Sequence, residues 1–341
     1  MKRYVFGVDI GGTKIAVVLA DDKGVILAKE TFPSNQDHPH PVLDTIALII
    51  RDMIASIKIK DTAILGVGVS YAGPISQEDP TILIVPNMKG WKGINLRDEL
   101  RRRLVSLPVV CENDANAAAV AEKMFGNGQT AKSFVYVTIS TGVGAGIIIN
   151  DNVVSGASLC GGEFGHIPVL LGGPVCGCGK QGCLEALSSG TAVAKMAQDV
   201  KKQRNISDYE SEHAFKVYRK LVPRFSLKQK TAIIFLTVIT AKEISVCAKK
   251  GDRISAYLIW RAGYYCGVGF STMMQLINPE MIAYGGSVVK AGKFFVDGLR
   301  CASKEHAWQL ARSGCEIKKA LLGDVVADLG AVSVALLRIK E

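Results

Sequence analysis

Twice in this chain, from Tyr4 to Ala20 and again from Phe134 to Asn150, two runs of β-branched and aromatic residues meet across a glycine-rich turn. Such runs broken by Gly-Gly or Gly-x-Gly read as strand, tight turn, strand. A hairpin alone has too little apolar face to be stable in water, so each copy needs further strands and a covering layer. The chain supplies them. After the first hairpin come a third strand at Val25 to Phe32, helical periodicity at Val42 to Ile57, a buried strand at Ile64 to Ser70 and a helix at Leu96 to Leu104. A strand at Pro108 to Cys111 and an alanine-rich helix at Ala115 to Met124 follow. After the second hairpin, Gly190 to Asn205, Ser226 to Lys250 and Ile254 to Ile277 read as helices, Met281 to Tyr284 as a strand, and Gly292 to Ala307 and Val326 to Arg338 as helices. Strands alternating with helices predict an α/β protein. The repeated opening predicts two domains on one plan, residues 1–115 with 325–341 and residues 116–324. Each is expected to aim its hairpin turn at a shared cleft, and the last helix is expected to close the first domain.

At 341 residues the chain has room for both. Its net charge of +10 raises nucleic acid or anionic ligands as partners. The charge is localised, however: between Asp199 and Arg261 there are 14 Lys and Arg against 6 Asp and Glu. An expanded, mostly helical insertion over about residues 199–261 is expected there. A solvated helical face accounts for its charge, as would an oligomer contact or an anion-attracting rim. Nine cysteines, an odd count, indicate free or metal-bound thiols in a reducing, cytoplasmic setting. The apolar run after Met1-Lys2-Arg3 meets Asp9 too soon for a leader peptide. The uncharged stretch Ser133 to Asn150 holds Gly142, Gly144 and Gly146 amid Ser and Thr, which suits a hairpin and not a membrane span.

Three glycine turns carry the first chemical signal. Asp9-Ile10-Gly11-Gly12-Thr13-Lys14, Thr141-Gly142-Val143-Gly144-Ala145-Gly146 and Tyr284-Gly285-Gly286-Ser287 each border a strand. Missing Cβ atoms let backbone N–H groups approach a phosphate, and Thr13 adds a hydroxyl donor. Asp9 suits Mg²⁺, held directly or through water, because that ion takes few protein carboxylates. A tight hairpin with a solvated Lys14 accounts for the first turn equally well. No glycine is followed by Gly-Lys-Ser/Thr at Walker spacing, and the hairpin turns join strand to strand where a dinucleotide fingerprint opens a helix. P-loop NTPases and NAD enzymes are thereby disfavoured.

The second signal is a donor cluster. His166, Cys176, Cys178 and Cys183 lie within one glycine-rich stretch, and three thiolates with an imidazole make a closed tetrahedral Zn²⁺ site of the structural kind. Cys160 is a rival ligand, and a loop with incidental buried thiols is the plain alternative. Cys111, Cys247, Cys266, Cys301 and Cys315 stand in apolar contexts as inert thiols.

The third signal is a set of carboxylates. Glu112-Asn113-Asp114 ends a strand and begins a helix, where one of Asn113 or Asp114 serves as N-cap. The other is unexplained by capping, and a carboxylate at a strand's C-terminal end can take a proton from an alcohol attacking phosphorus. Glu163 sits in Gly162-Glu163-Phe164-Gly165-His166, and Glu185 follows the cysteine stretch. Acceptor carboxylates beside an amide suit a polyol.

Taken together, Asp9 to Lys14, Glu112 to Asn116, Gly162 to His166, the Cys-x-Cys-Gly-x-x-Gly-Cys pattern from Cys176 to Cys183 with Glu185 and Ser189-Gly190, and Asn278 to Gly286 resemble the ROK family of sugar kinases and regulators. The match runs from about residue 4 to 335. The resemblance implies an actin-like ATPase (ribonuclease H-like) fold, two domains hinged around a cleft for sugar and ATP. It also implies Mg²⁺ with the nucleotide, a structural Zn²⁺, a homodimer or homotetramer, and no nucleic-acid or membrane partner. By position Asp114 matches the base that takes the proton of the sugar's 6-hydroxyl. Asn113, Glu163, His166 and Glu185 match sugar-hydroxyl ligands, His166 giving one ring nitrogen to zinc and the other to the sugar. Gly11 to Lys14 and Thr141 to Gly146 match the phosphate segments, Gly285 and Gly286 the adenosine segment, and Asn87 and Trp91 a segment near the sugar.

The chain departs from the family pattern at Ser70-Tyr71-Ala72, beside a retained Gly73-Pro74, and at Ser287, where a third glycine is usual. Neither touches the catalytic set. An ATP-dependent hexose kinase is therefore expected, with glucose first on family frequency. N-acetylmannosamine, N-acetylglucosamine, fructose and mannose are alternatives, and a sugar-sensing regulator is the reading from another class. Family regulators carry a helix-turn-helix ahead of the core, which here begins at Tyr4.

Overall fold

The computed structural model describes residues 3–57, 63–83, 88–105 and 107–339. Its ten strands form two five-stranded sheets. In the first, β1 (Tyr4–Ile10), β2 (Lys14–Asp21), β3 (Ile26–Pro33), β4 (Ile64–Tyr71) and β5 (Val109–Asn113) run in the order β3-β2-β1-β4-β5. The hairpin pairs are antiparallel, and β4 and β5 add in parallel. In the second, β6 (Phe134–Ile139), β7 (Val143–Ile149), β8 (Asn152–Val153), β9 (Met281–Gly285) and β10 (Glu316–Lys319) repeat that order as β8-β7-β6-β9-β10. The two hairpins visible in the sequence are thus the starting strands of two sheets with one topology. Strands β8 and β10 are short and nearly featureless in sequence, and only pairing defines them.

Twelve helices accompany them: α1 (Pro39–Ile57), α2 (Leu96–Arg103), α3 (Asp114–Phe125), α4 (Glu185–Ser188), α5 (Gly190–Lys201) and α6 (Ile206–Ser211), then α7 (His213–Leu221), α8 (Ala241–Lys249), α9 (Arg253–Leu276), α10 (Lys293–His306), α11 (Gln309–Ser313) and α12 (Val326–Arg338). By compactness the chain divides into residues 1–136, 146–162 and 320–341, and residues 137–145 and 163–319.

In the first unit the alternation along β1 is apolar on both faces, because both are covered. Phe6, Val8 and Ile10 join Ile15, Val17 and Leu19 of β2 under α1 and α2. Val5, Val18 and Ala20 face Val332 and Ala335 of α12 instead. That helix lies close because of Gly68: a Cβ there would stand 2.0 Å from the carbonyl oxygen of Ala331.

In the second unit α9 and α10 pair closely over glycines. A Cβ on Gly263 would meet the Phe295 carbonyl oxygen at 2.0 Å, and one on Gly298 the Trp260 carbonyl oxygen at 2.1 Å. The basic segment is anchored to this pair. Arg261 of α9 grips the Glu212 carboxylate with two donors, each at 2.6 Å, and the Tyr265 hydroxyl adds a third at 3.1 Å. Both partners are buried, with side chains 4% and 8% exposed. Phe215 and Tyr218 of α7 pack with Phe225, Tyr257 and Trp260 in an aromatic cluster. The segment therefore carries its own core beneath its charged face. Removing one member of a buried pair leaves an uncompensated charge, which costs about 3–5 kcal/mol. Glu212→Ala is expected to lose stability on that scale in denaturant unfolding, and a loss below ~1 kcal/mol would show that Arg261 finds other solvation.

The sequence reading of Ser226 to Lys250 as one helix is corrected. Only α8, from Ala241, is α-helical there, preceded by a single 3₁₀ turn at Ala232–Phe235. The run from Thr231 to Thr240 is dense in Ile, Val and Thr, whose branched Cβ atoms lose side-chain freedom in a helix. Among the described residues no helix is long and apolar enough to cross a membrane.

Candidate functional site

In the first unit the β1–β2 turn closes with the Gly11 N–H donating to the Lys14 carbonyl at 3.2 Å. The Gly12 carbonyl accepts from Gln36 at 3.0 Å, and Thr13 and Lys14 are exposed. Asp9 closes β1. Parallel pairing places Ser70 of β4 opposite it, and the Ser70 hydroxyl donates to its carboxylate at 2.5 Å. Burial pushes the Asp9 carboxyl above its ordinary value; the Ser70 bond opposes this, and the negative charge of Asp328 adds to the rise. A carboxylate so placed fits a divalent cation, which would offset both penalties.

At the end of β5 the structure decides which residue caps α3. The Asn113 side chain accepts from the N–H groups of Ala115 and Asn116 at 3.0 and 3.1 Å and donates to the Gly73 carbonyl at 3.1 Å. Asp114, the first helical residue, is exposed and accepts from the Ala115 N–H at 2.8 Å. Beneath them Glu112 is buried, paired with Arg338 of α12, and accepts from the Asn113 N–H at 3.0 Å and the Asn116 amide at 3.1 Å. Glu112 thus fixes the strand-to-helix corner that presents Asp114. Tyr71, one of the departures from the family pattern, ends β4. Burial and then the Asp114 charge push its phenol up to about 12. Trp91 is fully buried and donates to the Asn35 carbonyl at 2.8 Å. Asn87 lies outside the described residues.

In the second unit the four donors of the cysteine stretch converge. The nitrogen of His166 and the sulfurs of Cys176, Cys178 and Cys183 lie within 4.8 Å of one another. Cys178 and Cys183 sulfurs are 3.7 Å apart, and His166 Nδ1 is 3.7 Å from Cys176 Sγ. Sulfurs ~2.3 Å from a tetrahedral zinc lie about 3.75 Å apart, so these two pairs already have that ion's spacing and the residue types fit it. The fit assigns Nδ1 to the metal side and leaves Nε2 towards Glu163, 3.8 Å away. Turns with Gly172, Gly179 and Gly182 at positive φ fold the stretch back on itself. Gly182 is confined most: a Cβ there would fall 1.8 Å from the Leu170 carbonyl oxygen. Cys160 is outside the group, its thiol donating to the Ser158 carbonyl at 3.3 Å.

Glu185, the first residue of α4, links this loop to a glycine turn. Its Oε2 accepts from the Val143 N–H at 2.9 Å and its Oε1 is 3.8 Å from Cys176 Sγ. Gly142 is required beside it, since a Cβ would stand 2.5 Å from Oε2. The same turn borders a cavity of ≈ 390 Å³ lined by Ser140, Thr141, Gly190, Thr191, Thr240, Lys242 and Ser287, among others. The third glycine turn contributes Ser287, and Gly286 adopts φ +103° so that the chain passes close to the Ile139 carbonyl. The N-terminus of α5 points amides at this cavity, capped by Ser189, whose hydroxyl accepts from Ala192 at 3.1 Å. Backbone donors, hydroxyls and one lysine around a volume of this size suit a phosphorylated ligand. Gly144 and Gly146 lie within β7, and a Cβ on Gly146 would meet the Ala115 carbonyl at 2.5 Å. Its lack of a side chain lets α3 lie on that strand.

Thr191, Thr240 and Lys242 went unrecognised as lining residues in the sequence. Ser189-Gly190 before a helix was a signal for Thr191; the misread helix concealed the other two.

The ROK family profile matches residues 5–338, and the chain belongs to that family. Its fold is the actin-like ATPase (ribonuclease H-like) fold. A glucokinase of Halalkalibacterium halodurans is 30% identical over 96% of this chain and 93% of its own. A xylose repressor of Caldicellulosiruptor bescii is 27% identical over 97% of this chain and 78% of its own. The structure of a ROK family glucokinase from Streptomyces griseus, in complex with glucose and AMPPNP, is 31% identical, with TM-score 0.71 over 97% of this chain and 98% of that one.

Proposed function

We propose that this protein is an ATP-dependent hexose kinase that transfers the γ-phosphoryl group to the 6-hydroxyl of glucose. The observation that carries the reading is the division of labour at the start of α3, where Asn113 supplies the N-cap and Asp114 presents a carboxylate that the helix does not need as its cap. In this reading Asp114 takes the hydroxyl proton as oxygen attacks phosphorus. Asn113, Glu163, His166 and Glu185, with Asn87, hold the sugar hydroxyls. The cavity walled by Thr141, Gly190 and Ser287 takes the nucleotide, with Gly142, Gly285 and Gly286 in the turns that carry those residues and Gly11 to Lys14 as the second phosphate segment. Val143 and Gly144 continue the first. The nucleotide brings Mg²⁺, which neutralises phosphate charge, and Asp9 holds it through water.

Zinc bound by His166, Cys176, Cys178 and Cys183 fixes the tautomer and orientation of the His166 ring, so that Nε2 faces the sugar. The full-length glucokinase relatives and the glucose-bound neighbour support glucose over other hexoses. The protein is read as a cytoplasmic homodimer or homotetramer. A coupled assay across glucose, mannose, fructose, N-acetylglucosamine and N-acetylmannosamine tests the substrate. Glucose is expected to give the highest kcat/KM by about tenfold or more, one extra or missing group in a pocket being worth that much. Preference for an N-acetylated sugar would move the assignment to that substrate. Sugar binding without phosphorylation of any of them would favour a sensor, as in the repressor relatives.

A further inference from the structure

Two of the chain's five histidines meet one carboxylate, in a group to which the kinase reading gives no role. His213 is the first residue of α7, and Glu305 and His306 are the last two of α10. His213 Nε2 is 2.6 Å from Glu305 Oε1, the rings of His213 and His306 are edge-on with centroids 6.2 Å apart, and one donor atom from each of the three residues lies within 4.8 Å of the others. The Tyr264 hydroxyl donates to Glu305 Oε2 at 2.8 Å and stands 2.9 Å from His306 Nε2.

We propose that His213, Glu305 and His306 form a second divalent transition-metal site, of the imidazole–carboxylate class that takes Zn²⁺, clasping the start of α7 to the end of α10.

Five observations support it. Two imidazoles and a carboxylate are a donor set suited to zinc and its neighbours, where an ion pair alone would use a single histidine. Donors ~2.0–2.2 Å from a tetrahedral ion lie about 3.3–3.5 Å apart, so an ion would open the His213–Glu305 pair from 2.6 Å and draw in the third donor from within 4.8 Å. The site is held from beneath at both ends by α9. Arg261 and Tyr265 fix Glu212, the residue before His213, and Tyr264 orients Glu305 and His306, as an outer shell does around a metal. The carbonyl end of α10 at the group favours a cation and offsets the opposing N-terminal end of α7, where His213 stands. A cavity of ≈ 570 Å³ lined by Asp199, Asp208 and Glu212, against Lys195, opens beside His213 and gives an entry path.

The three side chains are partly exposed, so replacing them spares the core. Untagged protein is dialysed against excess Zn²⁺, and bound metal is counted. The His213→Ala/His306→Ala protein is expected to hold one ion fewer per chain than the parent, and Glu305→Gln likewise, while Tyr264→Phe weakens that ion about 10-fold. Equal counts in the parent and the double variant would overturn the site. Because the reading compares counts, it stands whether or not the thiolate cluster is filled. If the double variant does not fold, the parent decides: Zn²⁺ is expected to protect His213 and His306 from carbethoxylation, and undiminished modification of both would sink the proposal.

Discussion

Asp114→Asn is expected to lower the rate of sugar phosphorylation by about 10²–10⁴-fold while sugar affinity stays within a few-fold, the range assigned to a positioned general base. The exchange keeps the size and hydrogen-bonding reach of the side chain and removes only its ability to take a proton. The α3 cap survives it, because Asn113 supplies the bonds to Ala115 and Asn116. Glu112 survives it too, buried and held by Arg338, so the corner keeps its shape. The neighbouring Tyr71 does not replace the lost base. The Tyr71 phenol is pushed up to about 12 by burial and by the Asp114 charge, so near neutral pH it keeps its proton. Single-turnover kinetics beside sugar titration of the same preparation separates the two quantities. Near-normal turnover would make Asp114 a structural residue and remove the proposed mechanism.

Loss of the metal proposed at the cysteine site is the second large effect. Cys183→Ser is expected to abolish stoichiometric zinc and to raise the sugar dissociation constant by at least about 10–100-fold, the range seen when support around a metal-held ligand is lost. Between Pro168 and Cys183 the stretch has only isolated bridges and turns, with three glycines in the left-handed region. Backbone hydrogen bonds of turns hold it, among them Cys176 N–H to the Lys180 carbonyl at 2.8 Å, and structural zinc contributes apparent binding energies of ~10–16 kcal/mol in small peptides. Without the ion, His166 loses the partner that would fix its ring. Metal analysis of protein purified without chelator, with calorimetric sugar titration, checks both parts. Zinc-free protein that binds sugar normally would separate the metal from the site.

Much of this was legible before any coordinates. The bounds of β1, β2, β9 and α9 fall within one residue of the expected runs, and α12 starts and ends where the periodicity puts it. These elements are long, strongly patterned and closed by glycine or Asn-Pro punctuation. The family motifs were legible for the same reason: zinc ligands eight residues apart or fewer among the cysteines, and a Glu-Asn-Asp corner, are local patterns. The failures share the opposite character. The run from Thr231 to Thr240 has apolar residues at nearly every spacing, so its pattern did not reveal that branched residues would break the helix and leave Thr240 and Lys242 lining a cavity. Glu112 and Arg338, paired although 226 positions apart, gave no sign of each other. Nor did His213 and Glu305, 92 apart.

The sequence by itself determined where backbone and donor types must occur: two hairpins, three glycine turns, a thiolate-imidazole cluster and a carboxylate corner. Those depend on neighbours within a few residues, and local chain geometry is set by residue type. Only the tertiary structure decided roles among equals. It gave the cap to Asn113 and not Asp114, turned Nδ1 of His166 towards the thiolates, assigned Gly146 to the packing of α3, and found an aromatic core beneath a segment that sequence marked only by its charge. Side-chain direction and burial are fixed by contacts from distant parts of the chain, and no local pattern encodes them.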